Sequence, residues 1–360
     1  MANYSASFPE LRARLLEWYG RARRDLPWRR TQDPYAVWLS ETMLQQTRVE
    51  TAAPYYERFL RALPTIAELA EASEERVLGL WSGLGYYRRA RMMHAAAKRV
   101  TRAYGGQLPS DPAELRCLEG IGAYTAGAVA SIAFGRRAAV VDGNVARVLA
   151  RLFAMDDDIK SARGRARLWA LADELVAEGD GSPGDWNQAL MELGATVCVP
   201  REPRCAGCPV SGLCISRAEG RTGDLPRVGR KSKPTVVRHV AIVLASAKAV
   251  LLARRRPQLL FGGLWEPPST AGKLPSLAAR LGLEPRTLEH VGDVIHVLSH
   301  RRMHVSVMRG VLPRRSRWQV PGPEYDAVEA VARDGLQTRA HGALTVKVLE
   351  VANVGARDLP

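Results

Sequence analysis

The sequence predicts an all-α domain built around a helix-hairpin-helix and a four-cysteine metal loop, followed by an α+β domain. Three observations lead there. Apolar residues recur at helical spacing as far as about Ala218, four of the five cysteines fall within residues 198–214, and beyond a stretch rich in Gly, Pro, Arg and Lys the pattern turns to short β-branched runs. A chain of 360 residues also exceeds what one hydrophobic core ordinarily supports. The boundaries read as 1–218 for the helical domain, 219–234 for an exposed linker and 235–360 for the second domain.

Lysine and arginine number 52 against 37 acidic residues, a net charge of +15 that favours polyanionic partners through phosphate contacts and counterion release. The same excess also serves plain solubility. Residues Met1–Leu11 lack a basic region followed by an apolar run, and no stretch approaches the roughly 20 apolar residues that a membrane helix needs. A soluble, cytoplasmic protein with no membrane partner is expected, nucleoid-associated if bacterial.

Taken in order, Leu11, Leu15, Leu16 and Trp18 mark the first apolar stripe. Glu41 sits in the mostly apolar helical stretch Val37–Thr47, where burial of a carboxyl would raise its pKa; a solvated helix face is the competing reading. Leu118-Glu119-Gly120-Ile121-Gly122 separates two helical stretches over about residues 112–134, and its glycines allow a tight turn whose backbone N–H groups can face a phosphate. Asp142-Gly143-Asn144 opens the next helix, with Asp142 as its N-cap, and Val145, Val148, Leu149 and Leu152 continue it at the helical period. Cleaving a base from its sugar needs an acid for the leaving group and an anion beside an oxocarbenium-like ring, a division of labour that Glu41 and Asp142 could share.

Cys198, Cys205, Cys208 and Cys214 form C-x6-C-x2-C-x5-C, with Pro200, Pro203 and Pro209 stiffening the loops between them. Four thiolates at this spacing can converge on one centre; chemistry alone leaves zinc and iron-sulfur both open, although zinc ribbons usually supply two C-x2-C knuckles. Arg201 and Arg204 lie in the first loop, either facing a phosphate backbone or simply solvated. Cys117 reads as a buried structural thiol. Beyond the linker, His239–Leu244 with Val250–Ala253, and Val291–Leu298 with His304–Leu312, read as strand pairs, and Pro275–Leu283 as a helix between them.

These motifs, in this order and over nearly the whole chain, resemble the adenine DNA glycosylases of the MutY family, within the helix-hairpin-helix glycosylase superfamily shared with endonuclease III. The landmarks are Leu26-Pro27-Trp28, Trp38-Leu39-Ser40-Glu41 with Met43-Leu44-Gln45-Gln46-Thr47, Gly83-Leu84-Gly85-Tyr86-Tyr87, the hairpin, Val141-Asp142-Gly143-Asn144 and the cysteine spacing. The resemblance implies a monomeric glycosylase of base excision repair that removes adenine mispaired with 8-oxoguanine or guanine in double-stranded DNA, after flipping the nucleotide out of the stack. It implies a [4Fe-4S] cluster on Cys198, Cys205, Cys208 and Cys214. Glu41 would protonate the adenine ring and then assist water, Asp142 would stabilise the sugar cation, and Asn144 and Tyr124 would complete the site. Trp28 and Arg29 match positions lining the adenine pocket, with Glu192 a further pocket candidate. Gln46 and Tyr86 match residues that wedge into the duplex, Thr47 and Leu84 would lie near the opposite base, and Gly120 and Gly122 would meet the DNA backbone. Ordinary core packing is the competing reading for Trp28, Leu84 and Tyr86.

Lyase members of the superfamily carry a Schiff-base lysine just after the hairpin, where this sequence has Tyr124, and no lysine occurs between Lys98 and Lys160. A monofunctional glycosylase is therefore expected. The C-terminal half resembles the family's Nudix-like domain that reads 8-oxoguanine, but nothing between Gly262 and Pro285 supplies the acidic helix of a Nudix hydrolase. Leu298-Ser299-His300 falls where the family has Phe-Ser-His; leucine keeps an apolar contact without aromatic stacking. Two other readings are an endonuclease III-like pyrimidine glycosylase with lyase activity, opposed by Tyr124 and the added domain, and a damage sensor with a decayed site, opposed by Glu41 and Asp142.

Overall fold

The structure, a computed structural model, describes residues 8–178, 181–229, 234–298, 300–314 and 317–354. It divides into two compact units, residues 1–70 with 95–230, and residues 71–94 with 231–360. Residues 71–94 thus cluster with the C-terminal residues although they lie among the helices in sequence.

Helices α1 (Phe8–Ala22), α2 (Pro34–Leu44), α3 (Val49–Ala62), α4 (Ile66–Glu71), α5 (Glu74–Leu80), α6 (Arg88–Ala103), α7 (Pro112–Leu115), α8 (Ala123–Phe134), α9 (Gly143–Leu152), α10 (Ala162–Ala177), α11 (Pro183–Thr196) and α12 (Ile215–Ala218) follow one another. Their starts are written in the sequence. Side chains of Asp33, Ser73, Asp111, Asp142, Ser161 and Ser182 cap backbone N–H groups of the first turns, and Pro34, Pro112 and Pro183 stand at first helical positions. Among the described residues no helix is long and apolar enough to cross a membrane.

In the first unit α2 packs on α8, and α11 packs on α1, α8 and α9. The Val145, Val148, Leu149 and Leu152 stripe is buried as expected, joining Phe8, Leu11, Leu15, Tyr19, Trp186 and Leu190 in one core. Leu16 and Trp18 are only partly buried, because the face of α1 turned inward runs through Leu11, Leu15 and Tyr19. Helix α2 is buried along its whole middle, from Tyr35 to Met43.

Two expectations need correcting. Cys117 is exposed: the turn after α7 directs Leu115 and Leu118 inward and leaves the intervening thiol outside. The stretch expected as an exposed linker is partly docked on the helices. Leu225 is buried, Arg227 O accepts from Ile159 N at 3.1 Å, and Arg221 and Arg227 both pair with Asp156. Residues 230–233 lie outside the described residues.

In the second unit, β1 (Thr235–Ala245), β2 (Ala249–Arg255), β3 (Trp265–Glu266), β4 (Ser269–Thr270), β5 (Glu289–Val297), β6 (Arg301–Val311) and β7 (Tyr325–Ala332) form a mixed sheet ordered β3-β2-β1-β6-β5, with β4 on β1 and β7 on β2. The expected pairs β1–β2 and β5–β6 are antiparallel neighbours; β1 and β6, distant in sequence, run parallel. Helix α13 (Leu274–Arg280) covers one face through Leu277 and Leu281, and α14 (Ala343–Val351) covers the other through Leu344 and Val348.

Candidate active site

Helix α2 places Glu41 in a largely dry position. The residue is 5 % exposed, and its polar neighbours are satisfied within the helix, Ser40 Oγ donating to Val37 O and Thr42 Oγ1 to Trp38 O. Glu41 instead finds its partner on α8, where Tyr124 OH donates to its Oε2 at 2.5 Å. Burial raises the Glu41 pKa to about 7; the Tyr124 hydrogen bond opposes the rise, the charge of Asp142 adds to it, and Arg29 opposes it. Four predicted site residues, Arg29, Glu41, Tyr124 and Asp142, therefore share one electrostatic neighbourhood.

Asp142 caps α9, its Oδ1 accepting from Val145 N at 2.7 Å and its Oδ2 from Asn144 Nδ2 at 3.0 Å. Burial raises its pKa too, but these donors pull the other way. Asp142 is thus supplied with donors that favour its charged form, whereas Glu41 has a single phenolic donor. Asn144 is held in turn by Arg147, whose Nη2 donates to Asn144 Oδ1 and to Gly194 O, both at 2.8 Å, and whose Nε donates to Cys198 O at 2.7 Å. A Cβ on Gly194 would stand 2.6 Å from Asn144 Cβ, so this close approach of α11 to α9 requires glycine.

Glu192 has no exposed surface. Arg24 grips it through Nε and Nη2 at 2.8 and 2.9 Å, and Arg29 through Nη2 at 2.8 Å. Despite its burial these two arginines hold its carboxyl down at about 2. Glu192 thus anchors Arg29, which also lies over the Tyr19 ring. Trp28 is buried edge-on against Tyr56. Arg24, Arg147 and Met191, whose Sδ lies 3.6 Å from Tyr124 OH, escaped the sequence reading. The basic run Arg21–Arg24 before Leu26-Pro27-Trp28 was the only signal for Arg24.

The hairpin leaves Gly120 at φ 79° and makes Gly122 the N-cap of α8 with no side chain capping it, so the first N–H groups of that helix lack a side-chain acceptor. Gln46 is exposed with φ 62°, Thr47 is partly exposed, and the preceding Gln45 donates to Thr125 Oγ1 at 3.1 Å. In the second unit Leu84 is buried, while Tyr86, at φ 50°, is 49 % exposed with Arg89 over its ring. Leu298 packs against the sheet core at the β5–β6 turn, His300 is exposed there, and Ser299 lies outside the described residues.

Cys198, Cys205, Cys208 and Cys214 all line one recess of about 390 Å³, with Arg151 beside them. Arg151 Nη1 donates to Cys198 Sγ at 3.4 Å and to Val199 O at 2.7 Å. Burial, with the neighbouring sulfurs adding to it, pushes the Cys208 thiol up to about 11 and raises Cys214. Among the described residues no three His, Cys, Asp or Glu side chains are gathered tightly enough to hold a metal ion.

Comparison with known proteins places these features in context. The HhH-GPD superfamily of base excision DNA repair proteins matches residues 39–174, and the NUDIX domain matches residues 239–351. Adenine DNA glycosylase of Homo sapiens is 38% identical over 84% of this chain and 67% of its own length. The enzyme of the same name from Buchnera aphidicola subsp. Acyrthosiphon pisum is 31% identical over 83% of this chain and 86% of its own length. Among solved structures, a thermostable thymine-DNA glycosylase is 30% identical with a TM-score of 0.55, covering 60% of this chain and all of its own, 100%. An endonuclease III bound to DNA, 20% identical with a TM-score of 0.50, shares the fold over 61% of this chain and 99% of its own.

Proposed function

The chain belongs to the adenine DNA glycosylase family, hydrolases of N-glycosyl bonds in base excision repair, and from that premise we propose that it removes adenine mispaired with 8-oxoguanine or guanine and leaves an intact abasic site. One observation carries the reading: a buried Glu41, raised to about 7 and hydrogen-bonded to Tyr124, lies within the field of Asp142. Near neutral pH Glu41 holds a proton that it can give to a ring nitrogen of an extruded adenine, making the base a better leaving group. The sugar then acquires oxocarbenium character, and the Asp142 carboxylate, aimed by Asn144 and Val145 N, stabilises that charge in a water-poor site. Glu41, now a carboxylate accepting from Tyr124, takes a proton from the attacking water and is restored.

Tyr124 has no amine with which to form a Schiff base, and only Lys98 and Lys160 precede residue 231. This supports a monofunctional hydrolase. The uncapped N-terminus of α8 after Gly120 and Gly122 would bind a DNA phosphate, Gln46 and Tyr86 would enter the stack, and the Nudix-like unit would read the opposite base through Leu298–His300.

The four cysteines would hold a [4Fe-4S] cluster. The residues fit such a group: all four thiols border one recess, a donor set that four-cysteine centres use. When bound, the cluster would supply a covalent brace for the loop that Arg147 and Arg151 tie to α9. Metal analysis should find four irons with sulfide per chain; one zinc would refute this assignment.

The substrate reading is tested by incubating the purified chain with duplexes carrying adenine opposite 8-oxoguanine, guanine or thymine, and measuring free adenine. Release from the first two only, without strand cleavage unless alkali is added, is expected. A borohydride-trapped protein–DNA adduct, or equal release opposite thymine, would overturn it.

A further inference from the structure

The Gly83–Tyr87 loop carries the exposed Tyr86, and residue 341 of its own unit helps to tie it down. Ser82 Oγ donates to the main-chain carbonyl of His341 at 3.1 Å, and Tyr87 OH donates to the same carbonyl at 2.5 Å. Tyr87 OH also accepts from Gly83 N at 3.2 Å, so one hydroxyl closes the loop on itself and fastens it to residue 341. The carbonyl is itself well fixed: His341 is 3 % exposed, its Nδ1 meets Arg339 O at 2.6 Å, and Ala340 O accepts from Trp265 N at 2.8 Å. Helix α5, which precedes the loop, is held by the same C-terminal residues. Arg339 pairs with Glu75 of α5 at 3.2 Å. At the Gly262-Gly263 turn a Cβ at 262 would stand 2.4 Å from Pro257 O, and the turn lies beside Arg91 of α6 and Leu78 of α5.

We infer that Ser82 and Tyr87 are positioning residues that use the His341 carbonyl to set the loop presenting Tyr86, so that duplex wedging depends on the residues around His341 as well as on the loop itself. The inference rests on the reading of Tyr86 as a wedge. The physical reason is the backbone conformation. Tyr86 sits at φ 50°, which a tyrosine adopts only when its surroundings impose it, and the two hydroxyls on one carbonyl hold Tyr87 beside it and Ser82 at the start of the loop. The loop's interior is braced separately by Trp81 Nε1 and Arg89 Nη2, which both donate to Gly85 O. Removing the two hydroxyls therefore releases the attachment while sparing the brace.

The probe is a duplex with non-hydrolysable 2′-fluoro-adenosine opposite 8-oxoguanine and 2-aminopurine stacked next to the 8-oxoguanine, whose fluorescence rises when a wedge unstacks it. The unaltered chain is expected to raise the signal, Tyr86→Ala to abolish the rise, and Ser82→Ala/Tyr87→Phe to cut it by about half or more. The double variant should also weaken duplex binding about tenfold while changing the saturating rate of adenine release from the natural substrate by about twofold or less. Ser82→Ala alone, which keeps the Tyr87 ring in the core, should show the same change at smaller amplitude, and Ser82→Thr, which restores a hydroxyl, should recover it. If Tyr86→Ala loses the signal but Ser82→Ala and Tyr87→Phe each retain it in full, the positioning role is wrong. If Tyr86→Ala itself retains the signal, the wedge reading falls and the inference with it.

Discussion

Glu41 and Glu192 are both buried glutamates of one helical unit, yet their surroundings drive them in opposite directions. Glu41 has a neutral phenol and a nearby carboxylate; Glu192 has two guanidinium groups. The first is raised to about 7 and the second lowered to about 2, which separates a proton donor from a structural anchor. The stability consequences have opposite signs. Glu41 binds its proton more tightly folded than unfolded, so folding gains nothing from it below the ordinary glutamate range and loses stability as pH rises toward 7. Glu41→Gln, which removes that burden, should raise stability by about 3 kcal/mol above pH 7 and leave it nearly unchanged below about pH 4.5, as thermal unfolding at two pH values would report. Glu192, depressed, contributes stability above the ordinary glutamate range that is lost as pH falls toward 2. Glu192→Gln leaves Arg24 and Arg29 without their anion and should cost roughly 3–5 kcal/mol in a denaturant titration, with adenine release falling as Arg29 drifts. Tyr124→Phe removes the bond that holds Glu41 down, so the alkaline limb of the rate profile should move to higher pH.

Helix α9 connects chemistry to scaffold. Its N-cap is Asp142, its first turn carries Asn144, and Arg147 and Arg151 on its following turns grip the cysteine loop. Gly194 permits α11 to press against Asn144. Gly194→Ala should therefore both destabilise the unit, by about 1–3 kcal/mol for an overpacked contact, and slow adenine release more than it weakens duplex binding; equal rates would show that Asn144 tolerates displacement. Much of this element was legible in the sequence. The Asp142 cap, the helix period and the hairpin glycines follow from local rules that depend on neighbours in the chain. The arginine clamps were not legible, because a buried Arg147 and an exposed arginine look alike in sequence, and many of their acceptors, such as Cys198 O and Gly194 O for Arg147 and the Glu192 carboxylate for Arg24, lie far along the chain. Cys117 failed for the same reason: which side of a short turn faces inward is decided by what packs on it.

At the scale of the whole molecule, the sequence distinguished a helical half from a mixed sheet, and both are present. It did not reveal that residues 71–94 pack with the C-terminal residues, since helical periodicity says that a helix has a buried face and not which partner buries it. The linker reading failed in part because Asp156 and Asp158, which hold Arg221, Arg227 and Gly229 N, are distant in sequence from the segment they fasten. The proposed function depends on the proton at Glu41 and the charge at Asp142, and the most direct test is the single-turnover rate of adenine release opposite 8-oxoguanine as a function of pH, for the unaltered chain and for Glu41→Gln. The unaltered chain should lose activity as pH rises through about 7, and Glu41→Gln should release adenine at least about a hundredfold more slowly at every pH while binding the duplex as before. A profile flat across that range, or a Glu41→Gln variant as fast as the unaltered chain, would contradict it.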